Sequence, residues 1–429
     1  MRERAVLVEV NLARDGAGRD DHRDRLEELG RLADAAGAEV VGVVAQHRRE
    51  PHPGTYVGQG KVAEIALLAA QKKADVIIFD NDLSPAQVRN LEREIALKVL
   101  DRTELILDIF ATRARTHEAR LQVELAQLEY TFPRLKQLWA HLGRIEGGIG
   151  MRGPGETQLE TDRRLVRGRI AELRRKIQEI DRRKEREVLA RSGALTVGIV
   201  GYTNAGKSSL LNALTGAEAY VADQLFATLD TRTRAWKLPF GLQALLSDTV
   251  GFIRDLPHHL VASFKATLEE AIHADLLLHV VDVSTEHVGA DIAAVEKVLE
   301  EIGCRDKPQL VALNKADLVT DAAGLEAARR AIPGAVVTSC RTGQGMADLA
   351  AAAAARLAGP PKEVTIRAEA DDGRLLAWIA RHGEVVHRTV QDTGVVQRVR
   401  LPERLIAQVP HVAERAYTLA AIGQCGARP

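Results

Sequence analysis

The sequence predicts a multidomain α/β protein: an N-terminal α/β domain, a long helical hairpin, a second α/β domain with a mostly parallel sheet, and a small C-terminal α+β domain. Three observations support this division. Strand and helix patterns alternate over residues 1–115, two long amphipathic helical patterns fall within 116–192, and buried strand patterns return over 193–358. A Gly-Pro-Pro linker then precedes the last part, residues 363–429.

Length and charge set the broad limits. A chain of 429 residues exceeds what one hydrophobic core supports, and 59 basic against 59 acidic residues leave no net charge, so any surface for nucleic acid must be local. Three distant cysteines without a CxxC pair favour a reducing compartment. Because no apolar run reaches the length that a bilayer requires, we expect a cytoplasmic protein without a membrane partner.

The N-terminal domain is expected to contain a small sheet covered by helices. Strand patterns at 6–10, 40–45 and 76–80 alternate with helical patterns around 26–36, 62–70 and 86–96, and Ser84-Pro85 is a helix-start signal for the last of these. Gly58-Gln59-Gly60-Lys61 is a short glycine turn that opens a helix. It could touch phosphate, but a structural turn is the favoured interpretation.

Residues 116–192 predict a basic helical hairpin. Leu121, Leu125 and Leu128 form the apolar stripe of a first helix, which we expect to end before Pro133. The stripe of the second helix runs from 159 to 180 at three- and four-residue steps. The glycine-rich segment 143–155 between them is either a loop that projects from the hairpin tip or a disordered linker.

Positive charge is concentrated on the second helix. Between 163 and 176, Glu172 is the sole acidic residue within the stretch. A solvated helix face is one interpretation, and contact with the phosphates of RNA is the other. The candidate RNA-binding residues are Arg163, Arg164, Arg167, Arg174 and Arg175.

The second α/β domain contains a phosphate-binding loop. The strand pattern at 195–200 leads into a full GxxxxGK[ST] match and then a helical pattern at 209–214, which is the context that this loop needs. Its backbone N–H groups would surround a β-phosphate, Lys207 would neutralise phosphate charge, and the Ser208 hydroxyl would ligate Mg²⁺. The candidate loop residues are Gly201, Tyr202, Thr203, Asn204, Ala205, Gly206, Lys207, Ser208 and Ser209.

Motifs typical of a Ras-like P-loop GTPase domain follow in order. In the segment that begins at Phe226, Thr228 could ligate Mg²⁺ and contact the γ-phosphate. Asp248 of the Asp-Thr-Val-Gly motif is expected to hold Mg²⁺ through water, and the Gly251 N–H is expected to meet the γ-phosphate. The residues assigned to hydrolysis are Lys207, Thr228 and Gly251.

A guanine-binding motif, Asn314-Lys315-Ala316-Asp317, ends a later strand pattern. The Asp317 carboxylate would accept hydrogen bonds from guanine N1–H and N2–H₂, a donor edge that adenine lacks. Asn314 would brace the loop and Lys315 would lie over the base. Further candidate base contacts follow the last strand pattern at Ser339, Cys340 and Arg341, where a backbone N–H can reach guanine O6. The predicted ligand is therefore GTP with Mg²⁺, and ATP is disfavoured.

Phe252 stands where many switch GTPases have the glutamine that orients the attacking water. Because a phenyl ring cannot hydrogen-bond to water, intrinsic hydrolysis should be slow. A backbone group, a bound cation or a partner must supply that function. Asn204 is the candidate ligand for a K⁺ ion beside the phosphates.

The C-terminal part shows no catalytic constellation. Its pattern predicts a strand at 363–368, a helix at 375–381, two strands at 385–390 and 395–401, and a terminal helical segment.

The assembled motifs resemble the HflX family, in the Obg-HflX group of translation GTPases, over nearly the whole chain. The most specific match is Gly-Pro-Gly-Glu-Thr-Gln-Leu-Glu at 153–160, where the glycine-rich segment meets the arginine-rich helix. The segments at 57–61, 101–103 and 226–230 add to it.

The resemblance implies a GTPase that binds the large (50S) ribosomal subunit and dissociates or rescues stalled or idle ribosomes under stress. Its N-terminal domain and hairpin would contact rRNA, and a partner would stimulate its hydrolysis. Two alternatives stay open: a nucleotide-dependent ribosome- or rRNA-binding module whose hydrolysis is incidental, and an assembly factor for the large subunit. A monomer is the expected oligomeric state.

Overall fold

The computed structural model describes residues 2–12, 19–138, 154–190, 194–216, 232–254, 270–285, 287–319, 322–391, 394–414 and 417–421. The chain forms two compact units, one including residues 1–190 and the other including residues 191–221, 231–254 and 268–429. Among the helices that the structure describes, none is both long enough and apolar enough to cross a membrane.

The first unit begins with a parallel sheet in the order β2-β1-β3-β4. Its strands are β1 (Arg4–Leu12), β2 (Glu39–Arg48), β3 (Val76–Phe79) and β4 (Lys98–Leu100), and its helices are α1 (Arg19–Ala35), α2 (Gln59–Lys72), α3 (Pro85–Ile95) and α4 (Arg102–Arg113). β3 is buried along its whole length, as expected for a parallel strand with helices on both faces. Ser84 caps α3 through a capping box, as the sequence predicts.

The hairpin consists of α5 (His117–Leu138) and α6 (Pro154–Ala190). The predicted apolar stripes meet: Leu121 and Leu125 of α5 pack with Leu173 of α6, flanked by Leu128, Ile170, Ile177 and Ile180. The glycine-rich segment lies outside the described residues up to 153, and its last two residues begin α6.

The prediction that the first helix ends before Pro133 is wrong, because Pro133 lies inside α5. Arg134 stabilises this turn: its guanidinium donates to the Tyr130 carbonyl at 2.9 Å and to the Leu83 carbonyl and the Asp101 carboxylate at 3.1 Å. The Tyr130 hydroxyl also donates to Asp101 at 2.5 Å. These contacts with the N-terminal domain outweigh the backbone hydrogen bond that proline cannot make.

The second unit contains the predicted, mostly parallel sheet, in the order β10-β9-β8-β5-β7-β6. β6 is antiparallel to β7, and the other neighbours are parallel. The strands are β5 (Leu195–Gly201), β6 (Arg232–Lys237), β7 (Gln243–Asp248), β8 (Leu276–Asp282), β9 (Gln309–Asn314) and β10 (Val336–Val337). The helices are α7 (Lys207–Thr215), α8 (Val288–Glu301), α9 (Ala322–Ala331) and α10 (Met346–Ala358).

The C-terminal domain is an antiparallel sheet, β12-β13-β11-β14, with helices on one face. Its elements are β11 (Pro361–Ala368), α11 (Gly373–His382), β12 (Glu384–Gln391), β13 (Gly394–Pro402), α12 (Glu403–Ile406), α13 (Val409–Val412) and β14 (Tyr417–Ala421). The expected terminal helical segment is thus incomplete, because a strand follows the two short helices and pairs with β11. Periodicity cannot separate strand from helix in so short an apolar run, and pairing decides.

Candidate functional site

The glycine-rich loop joins β5 to α7 and requires glycine at both ends. Gly201 has a φ of 154°, and a Cβ there would lie 2.3 Å from the Val280 carbonyl oxygen. Gly206 has a φ of 94°, and a Cβ there would lie 2.4 Å from Asn314 Nδ2. Both distances are far inside van der Waals contact, so neither position has room for a side chain.

Lys207 is the first residue of α7, and its side chain is buried. Its Nζ donates to the carbonyls of Gly201 and Tyr202 at 3.1 Å and 2.7 Å, so the ammonium lies against the loop. Burial lowers the pKa of Lys207 to about 8; the nearby Asp248 opposes this shift and Lys315 adds to it. An anion bound in the loop would favour the charged form.

The end of β7 brings the Asp-Thr-Val-Gly motif to the same place. Ser208 Oγ donates to the Asp248 carboxylate at 2.6 Å, and Asp248 is fully buried. A Cβ on Gly251 would lie 2.9 Å from Thr203 Cα and 3.1 Å from Lys207 Nζ, so this position also excludes a side chain. Phe226 and Thr228 lie outside the described residues.

The predicted guanine-binding residues converge around Asn314. Its Nδ2 donates to the Ala205 carbonyl at 2.9 Å, and its Oδ1 accepts from the Cys340 thiol at 3.2 Å. Ser339 Oγ donates to the Asp317 carboxylate at 2.6 Å. The segment predicted to bind guanine is therefore hydrogen-bonded directly to the glycine-rich loop.

The remaining predicted base contacts differ in their surroundings. Burial raises the pKa of the Cys340 thiol to about 11, so the thiol stays protonated. Arg341 is exposed. Lys315 adopts a left-handed conformation with a φ of 62°, and its Nζ forms an ion pair with Asp282 at 2.6 Å.

Sequence reasoning missed Asp282 and His279. Asp282 ends β8 in register with Asn314, so a search of the strand ends would have found it. His279 is buried in the middle of β8 beside Val200 of β5. Burial lowers the pKa of His279 to about 4, with the charge of Lys207 contributing, so this histidine is neutral at pH 7.

The Phe252 side chain is buried in an apolar cluster with Val200, Val295 and Leu299. Its backbone is tied to the loop: Phe252 N–H donates to the Gly201 carbonyl, and the Thr203 N–H donates to the Phe252 carbonyl. Since the ring lies in the core, it neither approaches nor orients a water molecule. Asn204 has a φ of 60°, which suits a tight loop.

The arginines of α6 fall into two groups. Toward the base of the hairpin, Arg169 pairs with Glu124 at 2.7 Å, Arg174 pairs with Glu129 at 2.7 Å, and Arg175 pairs with Glu179 at 2.9 Å. Helix α5 therefore supplies acids that the local sequence of α6 does not show. Nearer the glycine-rich segment, Arg163 and Arg167 each lie 5.4 Å from the Phe132 ring, and neither forms an ion pair with a residue that the structure describes.

Comparison with known proteins agrees with this architecture. Residues 23–111 match a family model described as GTP-binding GTPase N-terminal, and residues 113–191 match GTP-binding GTPase Middle Region. Residues 196–315 match the model described as 50S ribosome-binding GTPase. GTPase HflX of Escherichia coli (strain K12) is 45% identical over 95% of this chain and 96% of its own length. The chain belongs to the HflX family of GTPases.

A second HflX relative, from Lacrimispora saccharolytica, is 41% identical over 96% of both chains. A solved structure of a GTP-binding protein from Sulfolobus solfataricus in complex with GDP is 25% identical, covers 81% of this chain and 98% of that chain, and has a TM-score of 0.44. The identities of 45% and 41% to the two HflX GTPases, over nearly the whole chain, confirm the resemblance inferred from the motifs. As a member of the HflX family, the chain binds GTP and hydrolyses it to GDP and phosphate.

Proposed function

We propose that this chain binds the large (50S) ribosomal subunit in its GTP-bound form, dissociates or rescues stalled or idle ribosomes under stress, and leaves the subunit after hydrolysis. The observation that carries the proposal is the buried Phe252 ring in an otherwise complete set of GTPase motifs. A site that lacks a side chain to orient water hydrolyses GTP slowly by itself and depends on a partner for turnover. The match to a 50S ribosome-binding GTPase model favours the large subunit as that partner.

Within the site we assign phosphate binding to the loop from Gly201 to Ser209, with Lys207 as its cation. Phosphate oxygens would replace the carbonyls of Gly201 and Tyr202 as acceptors for Lys207 Nζ. The Gly251 N–H would meet the γ-phosphate, and the close approach of Gly251 to Lys207 supports this placement. Asp317 would read guanine, held in place by Ser339.

Mg²⁺ fits the oxygens at the end of β7. The Ser208 hydroxyl and the Asp248 carboxylate converge within 2.6 Å, and hard oxygen donors of this kind suit Mg²⁺ when phosphates and water complete its shell. Together with Thr228, they would hold the ion, which offsets the charge of the phosphates when bound. We also propose a K⁺ ion near Asn204, which is tested by comparing turnover in potassium and sodium buffers. Equal rates would show that hydrolysis does not depend on K⁺.

The hairpin is the proposed RNA-binding surface. Arg163, Arg164 and Arg167 are the leading contacts, because the acids that neutralise Arg174 and Arg175 do not reach them. The half-buried Phe132 ring between Arg163 and Arg167 adds a flat surface of the kind that stacks on unpaired bases.

The proposal is tested by measuring GTP turnover of the full chain with and without purified large ribosomal subunits, with Asp317→Asn as a control that should lose GTP. Strong stimulation by large subunits is the expected result. Tight GTP-dependent binding without stimulation would instead support a binding module with incidental hydrolysis. Loss of the protein in cells should leave mature 70S particles undissociated, whereas accumulation of precursor subunits would support the assembly role.

The RNA surface is tested by the salt dependence of subunit binding. Each phosphate contact that is lost should lower the slope of log affinity against log salt by about 0.7 to 0.9. Charge reversal at Arg163 and Arg167 should flatten this slope more than charge reversal at Arg174 and Arg175, which are already paired. Slopes that equal that of the unmodified chain in all of these variants would show that the hairpin does not contact RNA.

A further inference from the structure

The turn between β6 and β7 packs against the C-terminal domain. Phe240 and Leu242, at the turn, pack against the apolar core of that domain, which includes Ile366, Leu375, Ile379, Val399 and Leu401. The carbonyl of Phe240 is 2.9 Å from His382 Nδ1. Since a carbonyl oxygen can only accept, the imidazole proton is on Nδ1 and is donated to the turn.

The backbone of this turn is unusual at two successive residues. Phe240 has a φ of 61° and Gly241 a φ of 63°. A Cβ on Gly241 would lie 2.9 Å from the Arg381 carbonyl oxygen and 3.0 Å from His382 Nδ1, so α11 approaches the turn closely enough to exclude a side chain. A phenylalanine stays in the left-handed region only where its surroundings hold it there, and the core of the C-terminal domain does so.

The two strands that leave the turn lead to the nucleotide site. β7 ends at Asp248, about 20 Å from the turn at the usual rise per residue. β6 is the edge strand and its neighbour is β7. In the register of the two strands, Arg232 at the start of β6 lies opposite Asp248. Trp236 of β6 is buried in the core of the GTPase domain, and Leu242 contacts both cores. The register of β6 on β7 is therefore held at one end by the C-terminal domain.

We propose that Phe240, Gly241 and His382 are positioning residues for GTP hydrolysis: the C-terminal domain fixes the β6–β7 turn and thereby the placement of Asp248 and of the start of β6. The inference rests on the proposed role of Asp248 at the phosphates. Because Asp248 is proposed to hold Mg²⁺ and Gly251, three residues later, to meet the γ-phosphate, loosening the turn should weaken binding of a GTP analogue more than binding of GDP. A contact that merely joins two domains would change stability and leave that ratio unchanged.

The test uses the full chain with two variants that disturb the turn by different means. Gly241→Ala forces a side chain against α11, whereas His382→Phe removes the hydrogen bond to Phe240 and keeps a ring beside Trp378, whose centroid is 5.0 Å from that of His382. Gly373→Ala is the matched control, because Gly373 lies in the same domain with nothing within 4 Å of a Cβ. Asp248→Asn serves as the positive control for the nucleotide ratio.

The measurements are the affinities for GDP and for a non-hydrolysable GTP analogue, steady-state turnover, and thermal unfolding. Both turn variants should lower the analogue-to-GDP affinity ratio by about fivefold, the low end of coupling between sites, and lower kcat with it. KM for GTP should rise by a similar factor, because KM approaches the dissociation constant when hydrolysis is slow. Gly373→Ala should match the unmodified chain.

Ratios and kcat values that stay with the Gly373→Ala control in both variants would overturn the inference. If Gly241→Ala does not fold, His382→Phe decides alone, since it leaves the apolar core intact. An Asp248→Asn variant with an unchanged ratio would instead show that the proposed role of Asp248 is wrong, and the inference would fall with it. If the analogue-to-GDP affinity ratio changes in Asp248→Asn but in neither turn variant, only the proposed role of the C-terminal domain is contradicted.

Discussion

The chain contains two glycine turns that end in lysine, and they differ in what surrounds them. In the loop from Gly201 to Ser208, added Cβ atoms on Gly201 and Gly206 would lie within 2.4 Å of neighbouring atoms, and Lys207 is buried. In the turn from Gly58 to Lys61, nothing lies within 4 Å of a Cβ on Gly60, and Gly58 has an ordinary φ of −72°. Lys61 forms an ion pair with Glu64 at 2.7 Å.

The contrast separates a phosphate-binding loop from a helix start. Both turns open a helix after a parallel strand, but Gly201 is the last residue of β5 whereas Gly58 lies ten residues beyond the end of β2. One backbone is held against β8 and Asn314, which fixes the directions of its N–H groups. In the other, the Gly58 N–H donates to the Gln46 side chain at 3.1 Å, and a Cβ on Gly58 would meet the flexible end of the Arg48 side chain, at 2.9 Å, rather than backbone. Tight packing of the backbone, rather than the motif alone, distinguishes the proposed nucleotide site.

The largest expected difference between the turns comes from adding a single methyl group. Gly206→Ala should reduce GTP affinity by at least about 100-fold, because a clash with Asn314 and a left-handed backbone together cost about 3 kcal/mol. Gly60→Ala, in open space, should leave GTP affinity unchanged. Fluorescent GTP titration of both variants measures this. Equal losses of GTP affinity in both variants, or a loss in Gly60→Ala alone, would contradict the distinction between the two turns.

Much of the candidate nucleotide site could be predicted from sequence, because the phosphate loop, the Asp-Thr-Val-Gly motif and the guanine motif each follow a strand pattern. Contacts between distant segments could not. Glu124 and Glu129 neutralise arginines 45 residues away, and the local composition of α6 gives no sign of it. Likewise, Pro133 by itself predicts a helix end. The contacts of Arg134 that join this turn to the N-terminal domain cannot be read from the local sequence.

The C-terminal contact was also beyond local reasoning. Nothing in the sequence around Phe240 indicates a left-handed phenylalanine, since that conformation depends on a domain more than a hundred residues later in the chain. The burial of Phe252 was different: its chemistry could be stated from the sequence, and the structure adds that the ring lies in the core.

The sheet beneath the phosphate loop carries a buried neutral histidine, and this predicts a dependence of stability on pH. The pKa of His279 is about 4 in the folded chain and about 6.5 when unfolded, so the unfolded state binds the extra proton between these values. Stability should therefore be lost as pH falls, by about 2 kcal/mol between about pH 7 and pH 5. Chemical unfolding at several pH values measures it.

A matched pair of histidine variants isolates this effect. His279→Leu should flatten the dependence of unfolding free energy on pH, whereas His273→Leu, at an exposed site nearby, should not. The same steep loss in both variants would mean that other groups control stability at low pH.

The smallest predicted effect concerns the charge of Lys207, with Lys61 in the other turn as the control. Because burial holds the pKa of Lys207 at about 8 and bound phosphate would raise it, GTP binding above that pH must take up a proton. Affinity should fall about threefold between about pH 7.5 and pH 8.5, and Lys61→Met should leave this dependence intact. Calorimetric titration in two buffers of different ionisation enthalpy counts the proton. No uptake at pH 8.5 would contradict the assignment of Lys207 to the phosphates.

The most direct test of the central claim is to count nucleotides bound by the full chain. Calorimetric titration with GTP and with ATP should give one GTP per chain and no ATP, with binding abolished by Lys207→Ala and unaffected by Lys61→Ala. That result would place all nucleotide binding at the loop from Gly201 to Ser208. Nucleotide binding that persists in Lys207→Ala and disappears in Lys61→Ala would contradict it.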